Sequence, residues 1–138
     1  MNTGVQKIIN EVSNWNGVTT SPHRFGGVEF TIGKVEIGHI HNHGMVDIPF
    51  TVALREQLVA DGEAGVHHLL RESGWITFYL DRTGTVSDAL RLYRLSYLQK
   101  TARRNADLVD DFATELESLN FSAPINDILK RLGGIKVS

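Results

Sequence analysis

The stretch from residue 28 to residue 49 constrains the fold most, because it reads as three strands joined by two tight turns. Val28, Phe30 and Ile32 alternate with Glu29 and Thr31, the period of two that a half-buried strand requires. Gly33-Lys34 suits a two-residue hairpin loop with glycine first. Val35 to His41 is then the return strand, Asn42-His43-Gly44 the second turn, and Met45 to Pro49 the third strand. This register sets Ile40 opposite Val46 and His39 opposite Asp47.

The apolar residues of these strands do not share one face. Through the first hairpin, Val28, Phe30, Ile32, Val35 and Ile37 lie on one side, and an unbroken strand puts His39, His41 and Asp47 there too. Ile40, Val46 and Ile48 then form a second apolar set on the opposite side. A β-bulge at Gly38 resolves the conflict by moving Ile40 onto the first apolar face and turning the histidines outward. The alternative is a sheet covered on both faces, with His39 and Asp47 half buried. The bulge is the reading preferred here.

The flanking segments fill in the class. Val5, Ile8, Ile9 and Val12 make one apolar face of a helix from about Thr3 to Trp15. Val18 to Arg24, carrying Pro22, reads as a linker. Thr51 caps a helix from Val52 to about Ala60; residues 65–74 are ambiguous between states; Trp75 to Leu80 reads as a strand. The longest helix opens at Thr85-Val86-Ser87-Asp88, a capping-box pattern, and runs to Arg104. Its apolar stripe is wide enough to need partners on two sides. Two shorter helices follow, one marked by Leu108, Phe112, Leu116 and Leu119, the other by Ile125, Ile128, Leu129 and Leu132. Strands grouped together and helices grouped after them predict the α+β class. The expected architecture is an antiparallel sheet of about four or more strands with helices packed on it and a helical C-terminal third. One domain covers residues 1–138, with a core over 1–104 and a helical extension over 105–138.

Composition excludes several functions. The 138 residues contain no cysteine, so disulfides, thiolate metal sites and cysteine nucleophiles are ruled out. A net charge of −2 gives no global attraction to nucleic acid. No apolar run approaches the roughly 20 residues of a membrane span, and the N-terminus lacks a signal-peptide pattern. A soluble, cytoplasmic protein is expected. Arg91, Arg94, Lys100, Arg103 and Arg104 lie on the long helix, and Asp107, Asp110, Asp111, Glu115 and Glu117 follow it, so a helical hairpin of complementary charge is expected. A nucleic-acid patch is the sharper but less supported alternative.

The chemistry concentrates in His39-Ile40-His41-Asn42-His43. Residues two apart in a strand face the same way, about 6.5–7 Å apart, so His39 and His41 can converge on one metal or one anionic group. Imidazole suits zinc, copper, nickel or iron, and Asp47 supplies a third ligand. His67 and His68 offer a fourth, although adjacent residues point opposite ways and only one of them can serve. The plainer alternative is an exposed strand end whose histidines meet water and Asp47. His23-Arg24-Phe25-Gly26-Gly27 is a second feature: the glycines admit a close backbone approach, and Arg24 can bind a carboxylate or phosphate in fork geometry. A loop entering a strand explains that segment as well. Phosphate-binding glycine motifs and the serine-hydrolase elbow are absent from the sequence.

Phe25-Gly26-Gly27-Val28-Glu29-Phe30, Glu36-Ile37-Gly38-His39-Ile40-His41 and Val46-Asp47-Ile48-Pro49-Phe50 resemble a family of small bacterial and fungal luciferase-domain proteins. The resemblance continues through His67-His68, Ser73-Gly74-Trp75 and Leu92 to Tyr97, covering roughly residues 15–100. It implies that Phe25, Gly26, Glu29, His39, His41, Asp47, His68, Ser73 and Trp75 form one neighbourhood. The family name does not carry light emission over to this chain, which has neither a flavin nor a nucleotide signature. A fainter, fold-level resemblance is to the YjbR-like double-wing proteins: a strand with tryptophan, then a helix ending in Ser96-Tyr97.

Two functional readings follow. The first is a small, anionic ligand bound in a cleft beside the sheet, with Arg24, Glu29, His39, His41, Asp47, His68 and Trp75 as candidate contacts. Asp47 would orient His39, and His39 backed by Asp47 would be the general base if the chain is an enzyme, a question the sequence leaves open. No cofactor is predicted; a divalent metal on His39, His41 and Asp47 is the one alternative. The second reading is a non-enzymatic module that binds a partner protein, or itself as a homo-oligomer, through the C-terminal helices.

Overall fold

The sheet builds outward from the predicted meander. In the computed structural model, which describes residues 3–23, 26–67, 69–80, 85–102 and 106–134, α1 spans Thr3–Ser13, β1 Val18–Pro22, β2 Val28–Ile32, β3 Val35–Ile40 and β4 Met45–Pro49. Then come α2 Val52–Ala60, β5 Gly65–Val66, β6 Trp75–Tyr79 and α3 Val86–Thr101. A 3-10 turn Ala106–Leu108, α4 Phe112–Ser118 and α5 Ala123–Leu132 complete the described chain. The six strands are arranged β1-β2-β3-β4-β6-β5, and every neighbouring pair is antiparallel. The fold is α+β, as expected.

Two strands escape the sequence reading. The expected linker 18–24 is β1 as far as Pro22, paired along its length with β2. It is an edge strand whose residues past Val18 are exposed, so no apolar alternation marks it. Pro22 is tolerated there because an edge needs fewer ladder hydrogen bonds. The ambiguous segment supplies β5, whose two residues are too few to show a period. Arg24, Phe25, His68, Arg103 and Arg104 lie outside the described residues.

The parity conflict ends in a bulge. Thr31 pairs with Glu36 but Phe30 pairs with Gly38, so Ile37 is the extra residue of β3. The slip comes one residue before the expected Gly38 and moves Ile40 onto the first apolar face as expected, but it does not turn the histidines out to solvent: on the opposite face His39 is 8% and Asp47 1% exposed, the burial expected of a sheet covered on both faces. Ile40 lies opposite Val28 and opposite Val46, on the apolar face with Phe30. Packed on that face are α1 and α3. The Tyr93 ring of α3 sits edge-on to Phe30 at 5.5 Å, and its hydroxyl donates to the His39 carbonyl at 2.9 Å. Gly38 makes that approach feasible: a β-carbon there would stand 2.8 Å from the Tyr93 ring.

The caps behave as the sequence indicates. Thr51 Oγ1 accepts from the Leu54 amide, and Thr85 with Asp88 closes a reciprocal capping box. The wide stripe of α3 is covered within the chain: Ala89, Leu95, Tyr97 and Leu98 are fully buried in one cluster with Leu116 of α4 and Ile125 and Leu129 of α5. The charge hairpin holds at Arg94, whose Nε donates to Glu115 Oε1 at 2.6 Å. Arg91 turns instead to Glu63 and to the Leu119 and Asn120 carbonyls. Lys100 donates to the Pro49 carbonyl and, at 2.9 Å, to Ser96 Oγ. No helix among the described residues is long and apolar enough to cross a membrane.

Candidate functional site

The face of the sheet opposite α1 and α3 carries the chemistry. Cross-strand partners share a face. Glu29 pairs with His39, His39 with Asp47, Asp47 with Thr77 and Thr77 with Gly65. His41, two residues past His39, and His67, two past Gly65, continue the same alternation. The bulge adds one more group. Glu36 and His39 differ in parity, yet the extra residue between them sets both on this face, and His39 Nδ1 donates to Glu36 Oε2 at 2.7 Å.

Asp47 is the centre and is 1% exposed. Its Oδ2 stands 2.9 Å from His41 Nε2 and 3.3 Å from His39 Nε2. Its Oδ1 accepts from Thr77 Oγ1 at 2.7 Å and stands 3.6 Å from His67 Nε2. Burial alone would raise the Asp47 pKa, but the hydrogen bonds from His39, Thr77 and His41 outweigh it and hold the carboxyl well below the usual range. Burial alone would likewise lower His39, but its hydrogen bonds to Asp47 and Glu36, with their charges, raise it to about 9. His39 is therefore an imidazolium at neutral pH, with each ring N–H pointed at a carboxylate. As found, it has no free nitrogen with which to act as a base.

Aromatic rings enclose His39. The His23 ring stacks on it with centroids 3.9 Å apart and planes 18° from parallel, and the Trp75 ring flanks it at 5.5 Å. His43 stacks on His41 at 5.6 Å. The His23 pKa is lowered, first by burial and then by the charges of His39 and His41. The His23 amide donates to the carbonyl of Gly27 at 3.1 Å, and Gly27 has φ +93° and a β-carbon position, were there one, 1.9 Å from the Ile40 carbonyl oxygen. The close backbone approach expected at Gly26-Gly27 is thus to β3.

Of the sequence candidates, His39 and His41 meet the Asp47 carboxylate, Trp75 flanks the His39 ring, and Glu29 is the cross-strand partner of His39. Arg24 and His68 fall outside the described residues. Ser73 keeps to its own turn, donating to the Leu70 carbonyl and accepting from the Trp75 amide. Glu36, Thr77 and His23 join the cluster without any local sequence signal for it, and of the pair His67-His68 it is His67 that faces Asp47, at 3.6 Å. The strand alternation that places Thr77 opposite Asp47 was readable once Trp75 to Leu80 was paired with β4. Glu36 was hidden by the bulge.

His39, His41 and Asp47 each turn one nitrogen or oxygen into the same space, and these three atoms lie within 4.8 Å of one another. Fold and site together define a class: an α+β protein whose antiparallel sheet is packed by helices on one face and carries a buried histidine–carboxylate cluster on the other. The family model described as Luciferase domain matches residues 34–96, so the resemblance to the luciferase-domain family holds over that stretch. The match is narrower than the expected 15–100, but it contains every residue of the cluster except His23 and Glu29. No curated protein and no solved structure matches the chain, and the YjbR-like resemblance gains no support.

Proposed function

We propose that the cluster binds a divalent transition-metal ion on His39 Nε2, His41 Nε2 and one oxygen of Asp47, and that a small ligand reaches the protein through the open coordination positions of that ion. The observation that carries this reading is the convergence of the three atoms within 4.8 Å. A tetrahedron with bonds of about 2.0–2.1 Å has edges of about 3.3–3.4 Å, and the His39–Asp47 separation of 3.3 Å matches one. Glu36 behind His39 Nδ1 is the outer carboxylate that metal-bound histidines usually have: it fixes the ring and leaves Nε2 for the ion. Thr77 does the same for Asp47. Two imidazoles and a carboxylate leave positions free, a donor set suited to zinc or iron(II).

Charge favours a cation over a directly bound anion. Asp47, Glu36 and Glu29 share this face, and the one histidine held positive by its surroundings, His39, is already met by two of these carboxylates. An anionic ligand is better accommodated as a ligand of the ion than as a partner of the bare cluster. The ion would supply Lewis acidity at its free positions; His39, His41 and Asp47 hold it, and Glu36 and Thr77 orient them.

Calorimetric titration of chelator-treated protein with zinc and with cobalt(II) tests the reading. One equivalent per chain is expected, and an ion at a hundred times its dissociation constant should add about 2.7 kcal/mol of stability. Asp47→Asn and His41→Ala should each lose most of the affinity. A wild-type chain that takes up neither ion refutes the proposal.

A further inference from the structure

Among the described residues, His67 is the one imidazole facing an Asp47 oxygen that is not placed as a ligand, and its hydrogen bonds give the reason. The ring is 7% exposed. Its Nδ1 accepts from two backbone amides, Leu69 and Leu70, each at 3.0 Å. A ring nitrogen that accepts carries no proton, so the proton of the neutral ring is on Nε2. That N–H faces Asp47 Oδ1 at 3.6 Å, an electrostatic contact on the same oxygen that accepts from Thr77. Asp47 therefore has two unlike oxygens. Oδ1 meets donors that keep their protons, a threonine hydroxyl and an imidazole whose tautomer the backbone fixes. Oδ2 meets His39 and His41, the two rings whose Nε2 protons an ion would replace.

Resting on the metal reading above, we propose that His67 is a positioning residue for Asp47. It occupies the Oδ1 side, so that Asp47 binds the ion through Oδ2 alone. A carboxylate held to one oxygen takes one coordination position instead of two, and that keeps another position open for a ligand. The tautomer also explains why a buried histidine so near the site is not itself a ligand: its lone pair is turned to the 69–70 backbone.

Two substitutions split the roles of the ring. His67→Gln retains an N–H near the place of Nε2 and gives up the acceptor at Nδ1. His67→Asn retains an acceptor near Nδ1 and gives up the N–H toward Asp47. The measurements are cobalt(II) affinity, the infrared splitting of the carboxylate stretches on metal binding, and the ¹⁵N spectrum of the histidines in metal-free wild type. Expected are a bare Nδ1 and a protonated Nε2 on His67 and a wide splitting, typical of one-oxygen binding, in wild type and His67→Gln. For His67→Asn the expectation is an affinity lower by about 10–100-fold, the usual cost of losing an outer partner, with a narrowed splitting. A role confined to holding the 69–70 loop predicts the reverse order, with Asn retained and Gln lost, and that order overturns the proposal. So does a His67 protonated on Nδ1 in wild type, a result that needs neither variant to fold. Failure of wild type to take up cobalt overturns the metal reading. In that case the positioning claim falls with it, and the two failures stay distinguishable because the ¹⁵N spectrum of the metal-free protein reads the His67 tautomer by itself.

Discussion

His39 shows how far a single side chain is set by its surroundings. The sequence offers a histidine opposite an aspartate; the fold adds Glu36 on the ring's other nitrogen, with Glu29, His23 and His41 around it. Its pKa is raised from the ordinary 6.5 to about 9. A raised pKa contributes stability that is fully present below about pH 6.5 and is lost as pH rises through about 9. In metal-free protein, the stability difference between wild type and His39→Gln should shrink by about 2–3 kcal/mol between pH 6 and pH 10, followed by urea unfolding. Lys100, which burial pushes down to about 7, acts in the opposite sense over the same range: its buried charge costs stability at low pH and is relieved as it deprotonates. Because Lys100 is common to both proteins, it cancels in the difference. A difference independent of pH would show that His39 does not hold its extra proton in the fold.

Among the elements, the β2–β3 hairpin matters most to the site. Its hydrophobic alternation was legible as two incompatible apolar sets, and that incompatibility pointed to a bulge near Gly38. The consequence for Glu36 was not legible, because one inserted residue changes which side chains share a face without changing their order. His23, whose amide donates to the Gly27 carbonyl, is placed by Gly27, whose positive φ and contact with the Ile40 carbonyl exclude a side chain. Gly27→Ala should cost on the order of 2–4 kcal/mol, combining backbone strain with a displaced strand, measured by chemical denaturation. It should also move the His23 ring off His39, read as a change in the His39 ring shifts. A variant as stable as wild type, with unchanged shifts, would mean that Gly27 does not set the place of His23. Edge strand β1 left no apolar pattern because solvent meets almost all of it, so its place in the sheet could be seen only from its pairing with β2.

For the molecule as a whole, the question is whether the C-terminal helices are an appendage. The family match ends at residue 96, and the sequence treats 105–138 as an extension of a core. Yet Leu116, Ile125 and Leu129 are fully buried in the cluster that also holds Phe30, Ile48 and Leu95. The apolar stripe of α3, which motivates a self-association surface, packs on α1, β3 and β4 and is closed off by α4 and α5 of the same chain. A chain truncated after residue 104 would expose the part that α4 and α5 cover. It should lose its cooperative thermal transition and bind a hydrophobic dye, since the apolar area lost contributes about 25 cal/mol per Å². A truncated chain that melts cooperatively would show that the core stands without the extension.

The sequence alone determined the local order: which segments alternate and so become strands, where Thr51, Thr85 and the turns begin and end elements, that His39 stands opposite Asp47, and that cysteine chemistry is excluded. These follow from nearest-neighbour geometry, whose periods of two and 3.6 are written directly in residue order. Tertiary structure decided what residue order does not encode. It brought Thr77 and His67 from a strand and a loop some 20–30 positions away in sequence, and Glu36 across a bulge, to the carboxylate of Asp47. The physical reason is that a buried charge must be met from every direction. The groups that meet Asp47 are chosen by strand pairing across the sheet, not by their distance along the chain.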